Sequence, residues 1–278
     1  MGNNDCAVVN TTREYYNSDD ADNFYAQVWG GEDIHVGLYI NLEEPIAAAS
    51  RRTVRHMAER LRLSPQQNVL DIGSGYCGAA RYLATTFGCS VTALNLSEKE
   101  NERARELNAQ QGLSDKITVV EGSFEHIPSD ENSFDLVWSQ DAILHSPRRA
   151  QVLKEVARVL KPGGEFLFTD PMQDDACPPG VLQPVLDRIH LDSLGSFAFY
   201  RQTAADVGLE EEGIEDLTPQ LIHHYARVRD QLTKDRPSLA GKVSEAYIDR
   251  MLTGLQHWVD AGEAGRLAWG IMHFRKRK

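Results

Sequence analysis

One stretch, "NVLDIGSGYCGAARYLA" at residues 68–84, limits the fold more than any other part of the chain. Gly73, Gly75 and Gly78 form a GxGxxG pattern directly after a short apolar run that is typical of a strand. Glycines placed in this way let the backbone between a strand and a helix approach a ligand closely. The pattern predicts a strand–loop–helix unit with a ligand at the loop. It leaves open whether that ligand is a dinucleotide or another adenosine compound.

Strand-like and helix-like segments alternate between residues 65 and 172. The helical segments begin near Ala79, Ser97 and Ser146, and Ser97 with Glu100 forms a capping-box sequence. An amphipathic helical segment at residues 44–63 comes before them. This alternation indicates a parallel, doubly wound α/β sheet. The strand-like runs are "NVLDI", "SVTALN", "KITVVEG", "FDLVWS" and "EFLFTD".

The pattern predicts one domain built in three parts. Residues 1–64 would form an N-terminal lid and a helix, and residues 65–172 the ligand-binding core. Residues 173–278 would complete the same domain with a substrate-binding flap, two helices and the last sheet strands, the final one in "RLAWGIMHFRK".

Composition and charge exclude several classes of protein. With 29 basic and 41 acidic residues, the chain has a net charge of −12, whereas nucleic-acid binders present a basic face. Its 4 cysteines have no metal-ligand spacing, and a chain of 278 residues needs no disulfide framework. We find neither a signal peptide nor an apolar run of about 18 residues that could span a membrane. We expect a cytoplasmic protein, a monomer or weak homo-oligomer, with no metal, nucleic-acid or membrane partner.

The residues around the glycine loop distinguish the two kinds of ligand. Asp71, at the end of the first strand, would repel a pyrophosphate but attract the sulfonium and ammonium charges of a compound such as S-adenosylmethionine. A ribose partner is expected at the end of the next strand, where Asn95 stands in "TALNLS". The loop "VVEGSFEHIP" would place Ser123 and Phe124 beside an adenine ring.

Taken in order, "LDIGSGYCG", "ALNLS", "VVEGSFEHIP", "FDLVWSQDAILH" and "VLKPGGEFLFTD" resemble the class I S-adenosylmethionine-dependent methyltransferases. The resemblance implies a Rossmann-like α/β fold with a seven-stranded, mostly parallel sheet whose last strand is antiparallel. It implies S-adenosylmethionine as the cofactor and S-adenosylhomocysteine as its product. The cofactor-binding residues that follow are Tyr25, Ile34, His35, Asp71, Gly73, Gly75, Asn95, Leu96, Ser123, Phe124 and Gln140.

Segments outside this core, among them "REYYNSDDADNFYAQVWGGEDIHVGLY", "WSQDAILHS" and "AWGIMHF", are similar to the sarcosine/dimethylglycine N-methyltransferases. Those enzymes make glycine betaine, an osmolyte, and the similarity covers nearly the whole chain. "VLDIGSG" and "SQDAILH" are also similar, more distantly, to phosphoethanolamine N-methyltransferases. In those relatives an N-terminal Tyr and the His of the AILH segment form a latch across the active site. The matching positions are Tyr16 (or Tyr15) and His145, with Asp141 beside them.

The chemistry of amine methylation agrees with this resemblance. A tertiary amino acid has an amine pKa of about 10, similar to that of Lys, so it arrives protonated. The proton must leave before the nitrogen attacks, and His145, through Tyr16, is the predicted relay. The alternative is that His145 only holds the lid shut by hydrogen bonding.

The expected substrate is a small amino acid with a cationic nitrogen and a carboxylate. Aromatic faces suit the cation, and a guanidinium suits the carboxylate. We expect Arg201 to bind the carboxylate, with Arg188 and His190 as the next choices. The aromatic candidates are Trp29, Tyr16, Tyr25, Trp138 and Tyr200.

Three alternative functions fit the sequence less well than N-methylation of dimethylglycine and sarcosine. A phosphobase N-methyltransferase would need a cluster of Lys, Arg and Tyr in the flap, which the sequence lacks. An NAD-dependent oxidoreductase would explain the glycines but not Asp71 or the "LKPGG" turn. A non-catalytic adenosyl-binding regulator would be expected to lose the lid aromatics and His145, which are present.

Overall fold

The computed structural model of the protein describes residues 17–29, 31–189 and 191–278. Within these residues a seven-stranded sheet has the strand order β3-β2-β1-β4-β5-β9-β7. Strands β1 to β5 pair in parallel, whereas β9 is antiparallel to both β5 and β7. The predicted seven-stranded sheet with an antiparallel last strand is therefore confirmed. The strands are β1 (Asn68–Ile72), β2 (Ser90–Asn95), β3 (Ile117–Glu121), β4 (Phe134–Gln140), β5 (Leu160–Thr169), β6 (Met172–Gln173), β7 (Leu209–Asp216), β8 (Leu267–Ala268) and β9 (Gly270–Lys276), of which β6 and β8 form a separate pair.

Helices cover both faces of the sheet, which explains why its central strands are continuous apolar runs. Two hydrophobic clusters, one on each face, contain alternate residues of β1: Leu70 and Ile72 lie in one and Val69 in the other. The helices are α1 (Asp19–Phe24), α2 (Ile46–Ala58), α3 (Gly78–Phe87), α4 (Glu98–Gln110), α5 (Arg149–Val159), α6 (Gln183–Ile189), α7 (Phe197–Asp206), α8 (Thr218–Leu239) and α9 (Glu245–Glu263), with a π-helical turn at Tyr25–Trp29 and a 3₁₀ turn at Ile143–His145.

Local signals account for several helix ends. The Ser97 hydroxyl accepts a hydrogen bond from the Glu100 N–H (3.2 Å), as the capping sequence predicts, and α4 begins there. Helix α3 ends at Gly88, whose φ of 72° is left-handed. Helix α2 is shorter than predicted, because the chain leaves it after Ala58 and buries Leu61 in the core.

The segment after β6 divides into two parts with different roles. Helix α7 leads into β7 and belongs to the core, where the ring of Tyr200 packs against Phe168 with centroids 5.1 Å apart. Helix α6 instead lies against α9. The predicted flap is therefore limited to the region of α6, because α7 is needed to cover the sheet.

The first described part of the lid, residues 17–29, is attached at both ends. The Asn17 side chain accepts a hydrogen bond from the Ser97 hydroxyl (2.7 Å) at the start of α4. At the other end Asn23 donates to the Lys242 carbonyl (3.1 Å), and Phe24 packs edge-on against Tyr247 of α9. This part of the lid therefore spans from the start of α4 to the pair of helices α8 and α9.

Candidate active site

Two cavities adjoin at the carboxyl ends of the parallel strands, where ligands of such sheets bind. The smaller, which we call the loop pocket, has a volume of about 90 Å³ and lies among the loops after β1, β2, β3 and β4. The larger, which we call the helix cavity, measures about 1380 Å³ and is lined by the lid, α6, α8 and α9. Ile34, Asp141 and His145 line both. Ligands in the two cavities would meet at these residues.

Most of the residues expected at the cofactor lie together in the loop pocket. Two others, Tyr25 and His35, line the helix cavity instead. Asp71 lines neither, since it is buried behind the glycine loop, where burial and the neighbouring Asp33 raise its pKa to about 7. Those in the loop pocket are Ile34, Gly73, Gly75, Asn95, Leu96, Ser123, Phe124 and Gln140.

The glycine loop is built for close approach. Gly73 has a φ of 70°, and a Cβ added there would lie under 3.0 Å from the Cβ of Ala142, a separation that real Cβ atoms essentially never show. Gly75 has a φ of 48° and lies beside Ile34. At Gly73, only a residue without a side chain lets this loop pack against the loop after β4.

A carboxylate that the sequence did not reveal stands at the end of β2. Asn95 donates its side-chain N–H to Glu100 (2.8 Å), and both residues are buried in the wall of the loop pocket. Nucleotide-binding sheets of this kind often have an acidic residue at the end of this strand. Here Asn95 stands at that position, and the carboxylate comes from Glu100 in the first turn of α4. The spacing of Asn95 and Glu100 across the helix start was the available signal.

Asp141 connects the lid to the sheet at the junction of the cavities. Its carboxylate accepts hydrogen bonds from the Val36 N–H (2.7 Å), the Thr169 hydroxyl (2.8 Å) and the Trp269 indole N–H (2.8 Å). Its φ of 51° is left-handed, a conformation that Asp and Asn tolerate. Burial raises the pKa of Asp141, whereas nearby His35 and these hydrogen bonds act to lower it.

His145 ends the 3₁₀ turn after β4 and lies at the same junction. Burial, and then the charges of Arg149 and Arg188, lower its pKa to about 4. The imidazole is therefore neutral at physiological pH and is a weak proton acceptor, which argues against the expected relay. Tyr16, its expected partner, lies outside the described residues.

The residues expected to bind substrate divide into two groups. Trp29 lines the helix cavity. Trp138 and Tyr200 are fully buried in the core, and the Tyr200 hydroxyl donates to Asp170 (2.6 Å). Arg201 is half-exposed and pairs with Glu211 (2.9 Å) on the surface. The structure thus corrects the roles expected of these three residues, because none of them lines either cavity.

Residues other than these three line the helix cavity. Arg188, the second choice for the carboxylate, lines the helix cavity, whereas His190 lies outside the described residues. The aromatic wall includes Tyr225, Tyr247 and Trp258 of α8 and α9, which the sequence did not single out. The ring of Tyr225 stacks on Trp258 at 4.7 Å.

The buried His224 bonds to the segment at Gly37 and Tyr39 and makes the free energy of unfolding depend on pH. The Gly37 N–H (3.1 Å) and Tyr39 hydroxyl (2.9 Å) bond to His224 Nδ1, so that nitrogen is the acceptor and Nε2 carries the proton. Burial, then His35 and His223, lower the His224 pKa to about 3. Because the unfolded imidazole has a pKa of 6.5, this residue stabilises the fold above that pH and loses the contribution as the pH falls towards 3.

We therefore expect His224→Asn, which keeps an acceptor at the Nδ1 position, to weaken the acid sensitivity of folding. For each pH unit below 6.5, the free energy of unfolding of the wild type should fall by about 1.4 kcal/mol more than that of the variant. Urea titrations from pH 7 to 4.5 measure it. Asp71 and Asp170, whose pKa values are raised to about 7, act oppositely in both proteins and cancel in the difference. A pH-independent difference would contradict the prediction.

Neither a membrane-spanning helix nor a metal site is found in the described ranges. No helix within them is both long and apolar enough to cross a bilayer. The same residues contain no group of three or more His, Cys, Asp or Glu side chains that could hold a metal ion.

Comparisons with known proteins agree with the geometry. Residues 70–168 match the family model described as a methyltransferase domain. The chain is 59% identical over 98% of both chains to the sarcosine/dimethylglycine N-methyltransferase of Halorhodospira halochloris. It is 51% identical to that of Aphanothece halophytica over 97% of this chain and 98% of the relative.

Solved structures extend this likeness to the fold. A putative sarcosine dimethylglycine methyltransferase from Galdieria sulphuraria superposes with a TM-score of 0.90 at 46% identity, covering 95% of this chain and 99% of the other. A phosphoethanolamine N-methyltransferase from Haemonchus contortus shares the fold alone, with a TM-score of 0.82 at 20% identity over 96% of this chain and 60% of the other. On the near full-length identities, the chain belongs to the sarcosine/dimethylglycine N-methyltransferase family.

Proposed function

We propose that this protein transfers a methyl group from S-adenosylmethionine to dimethylglycine, forming glycine betaine, and that it also methylates sarcosine. The observation that carries the proposal is the meeting of the two cavities at Ile34, Asp141 and His145. A donor held by the loop pocket and an amine held in the helix cavity are brought together there. Relatives that are 51% to 59% identical and named for these substrates support the choice.

The residues of the loop pocket fit an adenosyl compound. Asn95 and Glu100 offer acceptors for ribose hydroxyls, Phe124 offers an apolar ring for the base, and Gly73 leaves the backbone open. Pockets for drug-sized ligands measure about 300–1,000 Å³, so the compound would extend from this 90 Å³ pocket into the helix cavity. Tyr25 and His35 lie on that route. S-adenosylmethionine, when bound, supplies the methyl group on an electrophilic sulfonium.

The lining of the helix cavity suits a small zwitterion. Its wall combines Trp29, Tyr225 and Trp258, whose ring faces suit a substituted ammonium, with Arg188, which suits a carboxylate. Methyl transfer is an in-line displacement, so holding the nitrogen in line contributes much of the acceleration. The role of this protein's own residues is therefore mainly to position the substrate and exclude water.

The glycine loop allows a test of cofactor binding that does not depend on turnover. We expect Gly73→Ala to raise the Kd of S-adenosylhomocysteine at least about tenfold, because its methyl group collides with Ala142 and forces the loop apart. Calorimetric titration measures the Kd. Gly112→Ala is the matched control, since its φ of 68° is similar and nothing lies within 4 Å of the added Cβ. An equal effect of both variants would contradict the prediction.

The proposal is tested by mass spectrometry with S-adenosylmethionine and, separately, glycine, sarcosine, dimethylglycine or phosphoethanolamine. We expect betaine from dimethylglycine and methylated product from sarcosine. Methylation of phosphoethanolamine without methylation of any amino acid would overturn the substrate. Binding of S-adenosylhomocysteine with no methylation of any of the four would favour a regulator.

A further inference from the structure

Arg188 of α6 lies directly across Gly254 of α9. A Cβ added at Gly254 would lie 2.7 Å from Arg188 Nε and 3.0 Å from Cγ, and closer still to Cδ. Both residues line the helix cavity. The side chain of Arg188 thus occupies the space that any other residue at position 254 would fill.

The backbone alone gives no reason for a glycine at this position. Gly254 lies inside a 19-residue helix and has no left-handed φ. Glycine in a helix interior is less favourable than alanine by about 0.5–1 kcal/mol. What the glycine provides is therefore room for Arg188.

The guanidinium of Arg188 lies near the point where the cavities meet. Its Nη2 is 3.6 Å from the sulfur of Met251, and its charge helps to lower the pKa of His145 at the junction. The described arginines that line the helix cavity are Arg188 and Arg250, and Arg250 is exposed, near the Tyr247 ring. Arg188 is the one that can reach a ligand held at the junction.

The proposed substrate requires a cation at this place. In dimethylglycine one carbon separates the nitrogen from the carboxylate, so a group that binds the carboxylate must lie beside the transfer point. Arg201 pairs with Glu211 on the surface and lines neither cavity. A guanidinium binds a carboxylate through two parallel hydrogen bonds, which also orients it.

We propose that Gly254 determines substrate specificity by seating Arg188 against α9, where the guanidinium binds the substrate carboxylate. The enzyme then selects amines that carry a carboxylate over amines of equal size without one. This inference rests on the proposed function and names the residues that would recognise the substrate carboxylate. Gly254 is a positioning residue, because it acts through Arg188.

The test compares Gly254→Ala with Gly262→Ala, a second glycine-to-alanine change in the same helix. An added Cβ at Gly262 would meet Ile222 and would not reach the helix cavity. The two ligands are dimethylglycine and N,N-dimethylaminoethanol, which is similar in size but has a hydroxymethyl group in place of the carboxylate. Calorimetry with S-adenosylhomocysteine present measures ligand binding without turnover, and initial rates give kcat/KM for both substrates.

For Gly254→Ala we expect the Kd and KM of dimethylglycine to rise about 10- to 100-fold, the range for losing a charged hydrogen-bonded pair. The Kd of S-adenosylhomocysteine should stay within about threefold of wild type, and the preference for dimethylglycine over the amino alcohol should fall by the same 10- to 100-fold. Gly262→Ala should retain the wild-type preference. Equal losses for both substrates in Gly254→Ala would overturn the proposal.

Arg188→Met keeps the test decisive if Gly254→Ala does not fold, because it leaves the sequence of α9 unchanged. This variant should also lose the preference for dimethylglycine over the amino alcohol. In the double variant, Gly254→Ala should add nothing to the effect of Arg188→Met on the Kd of dimethylglycine. Additive effects, or an unchanged preference in Arg188→Met, would overturn the proposal. A wild-type protein that binds dimethylglycine but does not methylate it would instead overturn the proposed function.

Discussion

With the cofactor saturating, kcat/KM for dimethylglycine should rise about tenfold for each pH unit from 6 to 9. The substrate amine has a pKa of about 10, so its free-base fraction grows tenfold per unit below that value. His145 has a pKa lowered to about 4 by burial and by Arg149 and Arg188. Moving the proton from the ammonium to His145 would cost about 8 kcal/mol, so the enzyme is expected to act on the free amine.

Initial rates in overlapping buffers at constant ionic strength measure this profile, and His145→Gln is the informative variant. Glutamine keeps hydrogen-bonding capacity but cannot take the proton. The variant should be slower if the ring positions the substrate, yet its profile should have the same slope. A wild-type profile that levels off near pH 7, together with a variant that continues to rise, would show that His145 does accept the proton.

Asp141→Asn should lower kcat/KM at least about a hundredfold and reduce the free energy of unfolding by about 2–4 kcal/mol. The carboxylate accepts from Val36, Thr169 and Trp269, and all three donor residues are buried. An amide has one acceptor oxygen, so its NH₂ group must face at least one of these donors. Asn tolerates the left-handed φ of this position, so the substitution changes the hydrogen bonds and leaves the backbone preference satisfied.

The loss is expected to reach both cavities, because the Val36 N–H that Asp141 holds is adjacent to the lid residues Ile34 and His35. Thermal and urea unfolding measure the stability, and steady-state kinetics with both substrates measures the activity. Thr169→Val is the matched control: it removes one donor and leaves the carboxylate paired with two, so it should cost only about 1 kcal/mol. Wild-type stability and activity in Asp141→Asn would show that the lid is held by other contacts.

The sheet and the loop pocket were predictable because their determinants are local. Gly73 and Gly75 follow a strand, Asn95 ends the next strand, and the carboxyl ends of parallel strands meet at one edge. Residues that are distant in the chain are therefore brought together by the topology alone. The Ser97 cap and the antiparallel last strand were likewise predictable, the first from a four-residue pattern and the second from the family resemblance.

The helix cavity, the proposed substrate side of the site, was decided by tertiary packing. Tyr200 and Arg201 are neighbours in α7, yet one is buried against the sheet and the other is on the surface, because α7 packs on the core. Arg188 was only the second choice from sequence, and nothing in the sequence joined it to Gly254, 66 positions later, until α6 and α9 were seen in contact.

Strand period, glycine spacing and capping thus determined the parallel strands and the loop pocket at their carboxyl ends, since each acts over a few residues. Which helix faces close the helix cavity depended on how α6, α8 and α9 pack, and that is set by contacts between segments far apart in sequence. The basicity of His145 followed the same rule, because burial and two arginines from different elements set its pKa. Local sequence patterns do not report contacts between such distant segments, so the lining and charge of the helix cavity followed only from the tertiary structure.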